Sequence, residues 1–433
     1  MNKIRFLRSF IHLFVLLFPV SSQAILVSHL DQPIDQSRPK KSATFKQRYF
    51  LDSKYAEGPN SPVLFVICGE WECSSEDLEG TVEQLAKKFG AHLVALEHRY
   101  YGKSLPFSKL TVENLAFLKT ENVLRDLARF QNFATEHHSL RGKWVAVGYS
   151  YAGNLAAYYR VQHPELIAGA IASSAPVEAK TDFTEWNDHI AKVVGETCFA
   201  ALRSESNEIG RFLTVKPKSA LKMRRLFEGM ENLLDPSEFV LELKQRIDEI
   251  VFDGRRVELC KSLEYQDKNS RLNHFAAVIN RYPSRSFETK SGKFENEIEA
   301  LDPWAYQQCT EYGFFVDNLT PDTALSKYLN SPYGHELFCW TTFGLQDPPK
   351  THLINRKYYE PIISGKIDRI LFVNGTEDPY SRLSVSRERG NHVNSSCLFY
   401  TVENGNHCAD FSEIDPYPEL KKMMFEALNK WFY

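Results

Sequence analysis

Ser150 lies in the run Trp144-Val-Ala-Val-Gly-Tyr-Ser-Tyr-Ala-Gly-Asn154, a setting that suits a nucleophilic serine. The apolar residues before Gly148 predict a buried strand, and the residues after Gly153 predict a helix. The two glycines let strand and helix pass closely, so that a strained turn holds the serine hydroxyl out above the sheet. The first helical N–H groups then point at the atom that the hydroxyl attacks. Taken alone, the run also fits an ordinary strand–turn–helix.

Asp378 and His407 follow Ser150 in the order that an α/β-hydrolase triad requires. Asp378 comes just after an apolar run at 367–373, and His407 comes just after the next one, at 397–402. Both side chains are therefore expected in loops at strand ends, where they can face the serine. A histidine there takes the serine proton, and the carboxylate orients and stabilises the imidazole.

Each of these two assignments has a competing interpretation. Asp378-Pro is a turn-forming pair, and a loop histidine such as His407 is more often solvated than catalytic. Two further carboxylates could take the role of Asp378, namely Glu377 and Asp410. The sequence favours the triad because a serine, an aspartate and a histidine occur in the required order at successive strand ends.

A tetrahedral oxyanion needs two N–H donors, each worth about 3–4 kcal/mol in the transition state. The backbone N–H of Tyr151, the residue after the nucleophile, is expected to be one donor. The other is expected from the loop after the apolar run at 62–67, at Gly69 or Glu70.

Alternating strands and helices predict an α/β fold with a mostly parallel sheet covered on both faces. This regularity stops near Pro176, and residues 186–344 are charged and mostly helical before the sheet pattern resumes. A helical cap is therefore expected to interrupt one sheet domain, built from 25–185 and 345–433, and to roof its active site. The remaining predicted strands are 43–51, at a sheet edge, 92–96 and 166–174.

The N-terminal residues 1–24 have the pattern of a secretory signal. Three cationic residues precede a short apolar stretch at 10–20, and a small-x-small cleavage site follows at 22–24. The competing interpretation, a membrane anchor, is disfavoured because the apolar stretch is too short to span a bilayer comfortably. The mature chain is expected in a secreted, periplasmic or lysosomal-type compartment, without a stable membrane anchor.

Composition excludes several classes of partner for this 433-residue chain. The formal net charge of −3 and the lack of a long basic run argue against nucleic acid binding. No Cys-x-x-Cys and no His-Glu-x-x-His occurs, so neither a metal nor a cofactor is expected. Eight cysteines suit an oxidising compartment, although their spacing does not give their pairing. A homodimer is left open.

Six motifs, three of which contain the residues discussed above, occur in order along the chain. They are Glu97-His-Arg-Tyr-Tyr-Gly-x-Ser-x-Pro-Phe107, Gly148-x-Ser-Tyr-Ala-Gly153, Ser173-Ser-Ala-Pro176, Tyr306-Gln-Gln-Cys-Thr-Glu-Tyr-Gly313, Leu371-Phe-Val-Asn-Gly-x-x-Asp-Pro379 and Gly405-x-His-Cys-x-Asp410. With them the chain resembles the prolyl-cleaving serine peptidase family of lysosomal Pro-Xaa carboxypeptidase, dipeptidyl peptidase II and thymus-specific serine protease. The resemblance extends from about residue 43 to the C-terminus, and the motifs at 309–315 and 407–410 look most like the thymus-specific branch.

This resemblance implies an α/β-hydrolase fold with an inserted helical cap, and a triad of Ser150, Asp378 and His407. It also implies exopeptidase chemistry on short peptides, usually after Pro. By analogy with the family's bridges, it implies that two disulfides staple the cap, Cys198–Cys339 and Cys260–Cys309.

The chain departs from the family pattern at two places near the expected site. A family glycine is replaced by Cys68 in Cys68-Gly-Glu-Trp71, where the bulky Trp71 is expected to narrow the site. Tyr380 follows Asp378-Pro where many members have Trp, which keeps an aromatic wall of changed shape. Glu70 is a candidate for binding the free amine of a substrate, or else it only stabilises its loop.

The sequence therefore predicts an exported serine exopeptidase that works through an acyl-enzyme. It is expected to release N-terminal dipeptides with Pro or a small residue before the scissile bond. The alternatives are a Pro-Xaa carboxypeptidase of the same family and, on the same fold, a carboxylesterase or lipase. A binding protein that has lost catalysis is a further alternative, which the complete triad argues against.

Overall fold

The computed structural model describes residues 24–215, 217–282, 301–316, 325–326, 334–389 and 392–433. The expected signal segment 1–24 thus lies outside the described residues, apart from Ala24. The strands are β1 (Leu26–Pro33), β2 (Thr44–Asp52), β3 (Val63–Ile67), β4 (His92–Leu96), β5 (Trp144–Tyr149), β6 (Gly169–Ser173), β7 (Lys180–Asp182), β8 (Gly313–Phe315), β9 (Ile370–Gly375) and β10 (Leu398–Val402).

Eight of these strands form one sheet in the order β1-β2-β4-β3-β5-β6-β9-β10. All neighbours are parallel except β1–β2 and β2–β4, which are antiparallel. Every residue of β3, β4, β5 and β6 is buried, because helices cover both faces and only apolar runs suit such strands. The predicted α/β-hydrolase fold with a mostly parallel sheet is confirmed.

The strand predicted over 43–51 lies second in the sheet and not at its edge. Residues Leu26–Pro33 form β1, which pairs with β2 in the register Val27↔Phe50 and takes the edge position. The mixture of polar and aromatic residues in β2 has a different cause. Gln47 and Arg48 are buried and hydrogen-bond to Glu97. These polar side chains therefore make contacts inside the protein and do not face solvent.

Helices pack on both faces of the sheet. On one face α1 (Thr81–Phe89) and α15 (Pro418–Phe432) cover apolar side chains such as Leu64, Val66 and Leu371. On the other face α3 (Thr120–His137) and α4 (Tyr151–Gln162) cover Phe65 and Ala146. The helices outside the cap are α1 (Thr81–Phe89), α2 (Val112–Leu115), α3 (Thr120–His137), α4 (Tyr151–Gln162), α13 (Thr351–Ile354), α14 (Glu360–Ile363) and α15 (Pro418–Phe432).

Helices also dominate the described part of residues 185–344, where the sequence predicts the cap. They are α5 (Glu185–Val194), α6 (Glu196–Val215), α7 (Pro217–Arg224), α8 (Pro236–Phe252), α9 (Arg256–Lys261), α10 (Lys268–Ile279), α11 (Pro303–Gln307) and α12 (Gly334–Phe343). A small parallel sheet of β7 and β8 was not predicted, since three-residue strands are too short for a periodic pattern. The boundaries 25–185, 186–344 and 345–433 stay predictions.

The disulfide pairing expected from the family is wrong. The cap contains Cys198–Cys260 and Cys309–Cys339, with Cα–Cα distances of 5.5 and 5.6 Å. A disulfide forms only where the fold brings two Cα atoms within about 7 Å. Cys309 and Cys339 pack together in a small cluster with Tyr306 and Phe343, whereas Cys198 and Cys260 pack against the main core.

A third disulfide joins Cys68 to Cys73, with a Cα–Cα distance of 5.9 Å, in the loop after β3. Cys397 and Cys408 are not disulfide-bonded. Within the described ranges, no helix combines the length and the apolar character that a bilayer crossing needs.

Candidate active site

Ser150 occupies the sharp turn between β5 and α4. Its backbone has φ 55° and ψ −130°, a conformation that L side chains rarely adopt. A Cβ atom on Gly148 would lie 2.0 Å from the carbonyl oxygen of Ala152, so this close approach requires glycine. The N–H of Ser150 donates to the carbonyl of Ser173 at 2.9 Å, which fixes the turn beside the end of β6.

His407 and Asp378 form the pair that the triad requires. His407 Nδ1 lies 2.9 Å from Oδ2 of Asp378, and Oδ1 of Asp378 accepts the backbone N–H of Tyr380 at 2.9 Å. Because the carboxylate accepts from Nδ1–H, the neutral imidazole keeps its lone pair on Nε2. Burial alone lowers the pKa of His407, but the Asp378 carboxylate, together with Cys408, reverses this effect and holds that pKa well above its usual value.

The loop that carries His407 lies next to the serine turn. The N–H of Cys408 donates to Oγ of Ser174 at 2.9 Å, and Ser174 directly follows the residue that binds the N–H of Ser150. Asp378 follows β9, the other neighbour of β6 in the sheet. The fold thus brings Ser150, Asp378 and His407 to the same end of β5, β9 and β10, which lie within a run of four neighbouring strands.

The loop after β3 carries Gly69, Glu70 and Trp71. β3 and β5 are parallel neighbours in the sheet. Gly69 and Tyr151 therefore follow adjacent strands at the same edge of the sheet, as two oxyanion donors must. The Trp71 ring lies against Gly69, and its Nε1–H donates to Asp77 at 3.0 Å. The oxyanion role of Gly69 and Tyr151 stays a prediction, as does the role of Glu70.

A buried ion pair holds the far end of this loop, and sequence reasoning missed it. Glu97 Oε1 accepts the N–H of Cys73 at 3.1 Å, while Arg48 donates to the carbonyl of Cys73 at 2.8 Å. Arg48 and Glu97 are themselves 2.5 Å apart, and the Glu97 side chain is fully buried. Glu97, the first residue of the Glu97–Phe107 motif, is therefore hydrogen-bonded to the loop at 68–73 and helps to hold it in place.

A second buried network ties the residue after the nucleophile to the cap. The Tyr151 hydroxyl accepts from Nε2 of Gln307 at 2.7 Å, and Gln307 Oε1 accepts the hydroxyl of Tyr101 at 2.8 Å. His98 Nδ1 donates to the Arg99 carbonyl at 2.6 Å, so its Nε2 accepts the Tyr151 hydroxyl at 3.1 Å. Burial lowers the pKa of His98 to about 3, which keeps this acceptor neutral.

An aromatic wall surrounds Tyr380, the residue two positions after Asp378. Burial raises the pKa of the Tyr380 hydroxyl, and the nearby carboxylates of Glu70 and Asp378 raise it further. Glu70 therefore lies close enough to the wall to act on it electrostatically. The rings packed around Tyr380, with centroids 5.1 to 6.0 Å away, belong to Phe183, Trp186, Phe252, Phe314 and His407.

The two alternative carboxylates are bonded to other groups. Glu377 Oε1 accepts Nε of Arg256 at 2.6 Å. Asp410 Oδ1 accepts the Ser173 hydroxyl at 2.5 Å, and burial raises the pKa of Asp410 to about 6. Asp378 is therefore the carboxylate in contact with His407 Nδ1.

Comparison with known proteins shows which family this chain is similar to. A family model described as serine carboxypeptidase S28 matches residues 32–423. The chain is 30% identical to the probable serine protease EDA2 of Arabidopsis thaliana, over 88% of this chain and 80% of that protein. It is 28% identical to the thymus-specific serine protease of Mus musculus, over 89% and 82%. It is 27% identical to the lysosomal Pro-X carboxypeptidase of Bos taurus, over 90% and 84%.

Proposed function

Because the chain belongs to the serine carboxypeptidase S28 family, and is therefore a serine-type peptidase, we propose that Ser150, Asp378 and His407 are its catalytic triad. The observation that carries this proposal is the His407–Asp378 contact of 2.9 Å beside the strained turn of Ser150. The three side chains that the family resemblance implies are the same three that this local geometry supports.

The reaction follows from the tautomer and the donors around the serine. Nε2 of His407 takes the hydroxyl proton while Oγ of Ser150 attacks the peptide carbonyl, and the buried carboxylate stabilises the imidazolium. The N–H groups of Gly69 and Tyr151 bind the oxyanion. The C–N bond then breaks as the imidazolium gives its proton to the leaving amine. Water, activated by the same imidazole, hydrolyses the acyl-enzyme.

We propose that the substrate is a short peptide trimmed from its N-terminus by two residues. Glu70 supports this because it lies in the loop that carries the oxyanion donor and acts electrostatically on Tyr101, Tyr151 and Tyr380. A carboxylate at that place suits a free α-amine. The aromatic wall around Tyr380 suits Pro or a small apolar residue before the scissile bond.

Trimming from the C-terminus is the second candidate. The name of a relative that matches 90% of this chain, lysosomal Pro-X carboxypeptidase, favours it. The two candidates predict opposite responses to blocking groups at the two ends of the substrate.

We also propose that the protein is exported. The signal pattern at 1–24 and the three disulfides of the described residues support a secreted or lysosomal-type compartment.

One experiment tests the chemistry and the direction of trimming together. Wild type, Ser150→Ala and the exposed-serine control Ser364→Ala are incubated with a mixed peptide library containing free, N-acetylated and C-amidated members, and products are read by mass. We expect Ser150→Ala to lose about 10⁶-fold in turnover and the control to lose nothing. Protection by N-acetylation supports dipeptide release, whereas protection by C-amidation alone replaces it with carboxypeptidase action. Near-wild-type turnover by Ser150→Ala rejects the triad.

A further inference from the structure

The end of α8 in the cap contacts the loop of the proposed catalytic base. The Phe252 ring stacks on the His407 imidazole, with centroids 4.2 Å apart and an interplanar angle of 28°. The backbone N–H of His407 points to the Phe252 carbonyl at 3.5 Å. A residue of the inserted segment therefore covers one face of the imidazole and also meets its backbone.

The residues after Phe252 extend this contact to both catalytic loops. Gly254 has φ +76°, and a Cβ atom there would lie 3.2 Å from Cβ of Asn406, so a larger residue would be both strained and crowded. Two residues later, Arg256 forms its 2.6 Å ion pair with Glu377, the neighbour of Asp378. We call residues 252–256 the cap turn.

From these contacts we infer that the cap turn positions the triad, with Phe252 fixing the plane of the His407 ring and Arg256 fixing the loop of Asp378. This inference rests on the proposed triad. Phe252 and Arg256 are positioning residues, since they act through His407 and Asp378.

The physical reason lies in what the His407–Asp378 bond leaves undetermined. A single Nδ1–H···O bond fixes the direction of that N–H but lets the ring swing about it. A flat side chain on one ring face removes this freedom, and it keeps water from competing for the imidazole. Because a displacement of about 1 Å at a reacting group costs about 100-fold in rate, a stacked ring can govern turnover.

The ion pair makes a separate contribution to the other loop. The Glu377 side chain is only 9% exposed, so its carboxylate depends on Arg256 for a partner, while Arg256 itself is 32% exposed. Loss of either partner would free the residue before Asp378. The cap turn thus makes catalysis depend on how the cap is seated, in addition to any role of the cap in excluding solvent.

Two substitutions at Phe252 and two matched controls test this. Phe252→Leu keeps apolar volume without a flat face, and Phe252→Ala removes both. Phe227 supplies the controls, Phe227→Leu and Phe227→Ala, because it is a fully buried cap residue whose ring packs on Phe239 and Phe275. For each variant, kcat and KM are measured on a peptide that the wild type cleaves, at a temperature where thermal unfolding shows the variant to be folded.

We expect both Phe252 variants to lower kcat by about 10- to 100-fold with a much smaller change in KM. The downfield proton NMR signal of the His407 Nδ1–H should broaden or disappear in them. The Phe227 controls should keep the signal and the wild-type kcat even where they lower the melting temperature. If Phe252→Ala does not fold, Phe252→Leu decides.

Arg256→Gln and Glu377→Gln test the second half of the cap turn in a double-mutant cycle. We expect each single change to lower kcat and the double change to cost less than the product of the two losses. Phe252 variants that keep the kcat and the Nδ1–H signal of the Phe227 controls would overturn the inference. That result would leave the triad intact as long as turnover still requires Ser150, whereas turnover by Ser150→Ala would remove the triad itself.

Discussion

Nδ1 of His407 lies 2.9 Å from Oδ2 of Asp378, and the side chain of that aspartate is fully buried. Burial lowers the pKa of His407, and the carboxylate, with a further contribution from Cys408, more than reverses this. The base must be neutral, so activity is lost as the pH falls through this raised pKa. Asp378→Asn should therefore lower kcat by about 10⁴-fold and move the acidic limb of the pH–rate profile to lower pH.

Profiles of kcat/KM against pH for wild type and Asp378→Asn measure this shift. Asp415→Asn, which changes an exposed carboxylate paired with Lys421, is the control and should leave the limb in place. An acidic limb at the same pH in wild type and Asp378→Asn would contradict the role given to the carboxylate.

The Cys68–Cys73 disulfide closes the loop that contains Gly69. Replacing both cysteines by serine should let the Gly69 N–H leave its position, and kcat should fall by about 100-fold, as for loss of one oxyanion donor. The matched control replaces Cys198 and Cys260, the disulfide within the cap. We expect the control to lower the melting temperature while leaving kcat per folded molecule unchanged. Equal kcat values for the two variants would contradict the prediction.

The raised pKa of the buried Asp410 carboxyl leads to a predicted dependence of stability on pH. Its pKa is raised to about 6 by burial, so the folded state resists ionisation that the unfolded state undergoes from about pH 4 upward. Burial of Asp410 does not lower the free energy of unfolding at low pH. The decrease grows between about pH 4 and 6 and reaches its full size above that range. Asp410→Asn should gain about 2 kcal/mol relative to wild type between pH 4 and pH 7. Denaturant unfolding at both pH values measures it, and a constant difference would reject it.

Replacing Gln307 is expected to destabilise the folded protein. Gln307→Leu removes the partner of the Tyr101 hydroxyl and a donor to the Tyr151 hydroxyl, both in a buried network. We expect the free energy of unfolding to fall by about 2–4 kcal/mol, because each unpaired buried group costs about 1–3 kcal/mol. The neighbouring, half-buried Gln308 provides the control variant Gln308→Leu. Denaturant titrations that cannot distinguish the two variants would show that the network adds no stability.

Much of the sheet domain could be predicted from the sequence because its signals are local. The apolar runs of β3, β4, β5 and β9 and the small residues around Ser150 each specify structure over a few residues. The order of serine, aspartate and histidine then needs only the rule that catalytic loops follow parallel strands. The interruption of the strand–helix alternation after Pro176 predicted the inserted cap, and the family resemblance implied it as well.

The contacts between distant segments could not be predicted in the same way. Arg48 and Glu97 are far from Cys73 in sequence, and the side chains that meet in the cap are chosen by three-dimensional packing. For the same reason the prediction paired Cys198 and Cys260 with other cysteines, although they bond to each other. The stacking of Phe252 on His407 was also not predicted. No periodic pattern marks such a contact, since each partner looks like an ordinary core or loop residue.

The strands β9 and β10, each followed by a loop with a proposed triad residue (Asp378 and His407), come after the whole cap in the chain. A nascent polypeptide leaving the ribosome therefore has its serine turn long before it has the groups that activate the hydroxyl. Until the final strand joins the sheet, the proposed triad is incomplete, and the growing chain cannot yet hydrolyse a peptide. The order of synthesis thus delays the onset of proteolysis to the last stage of folding.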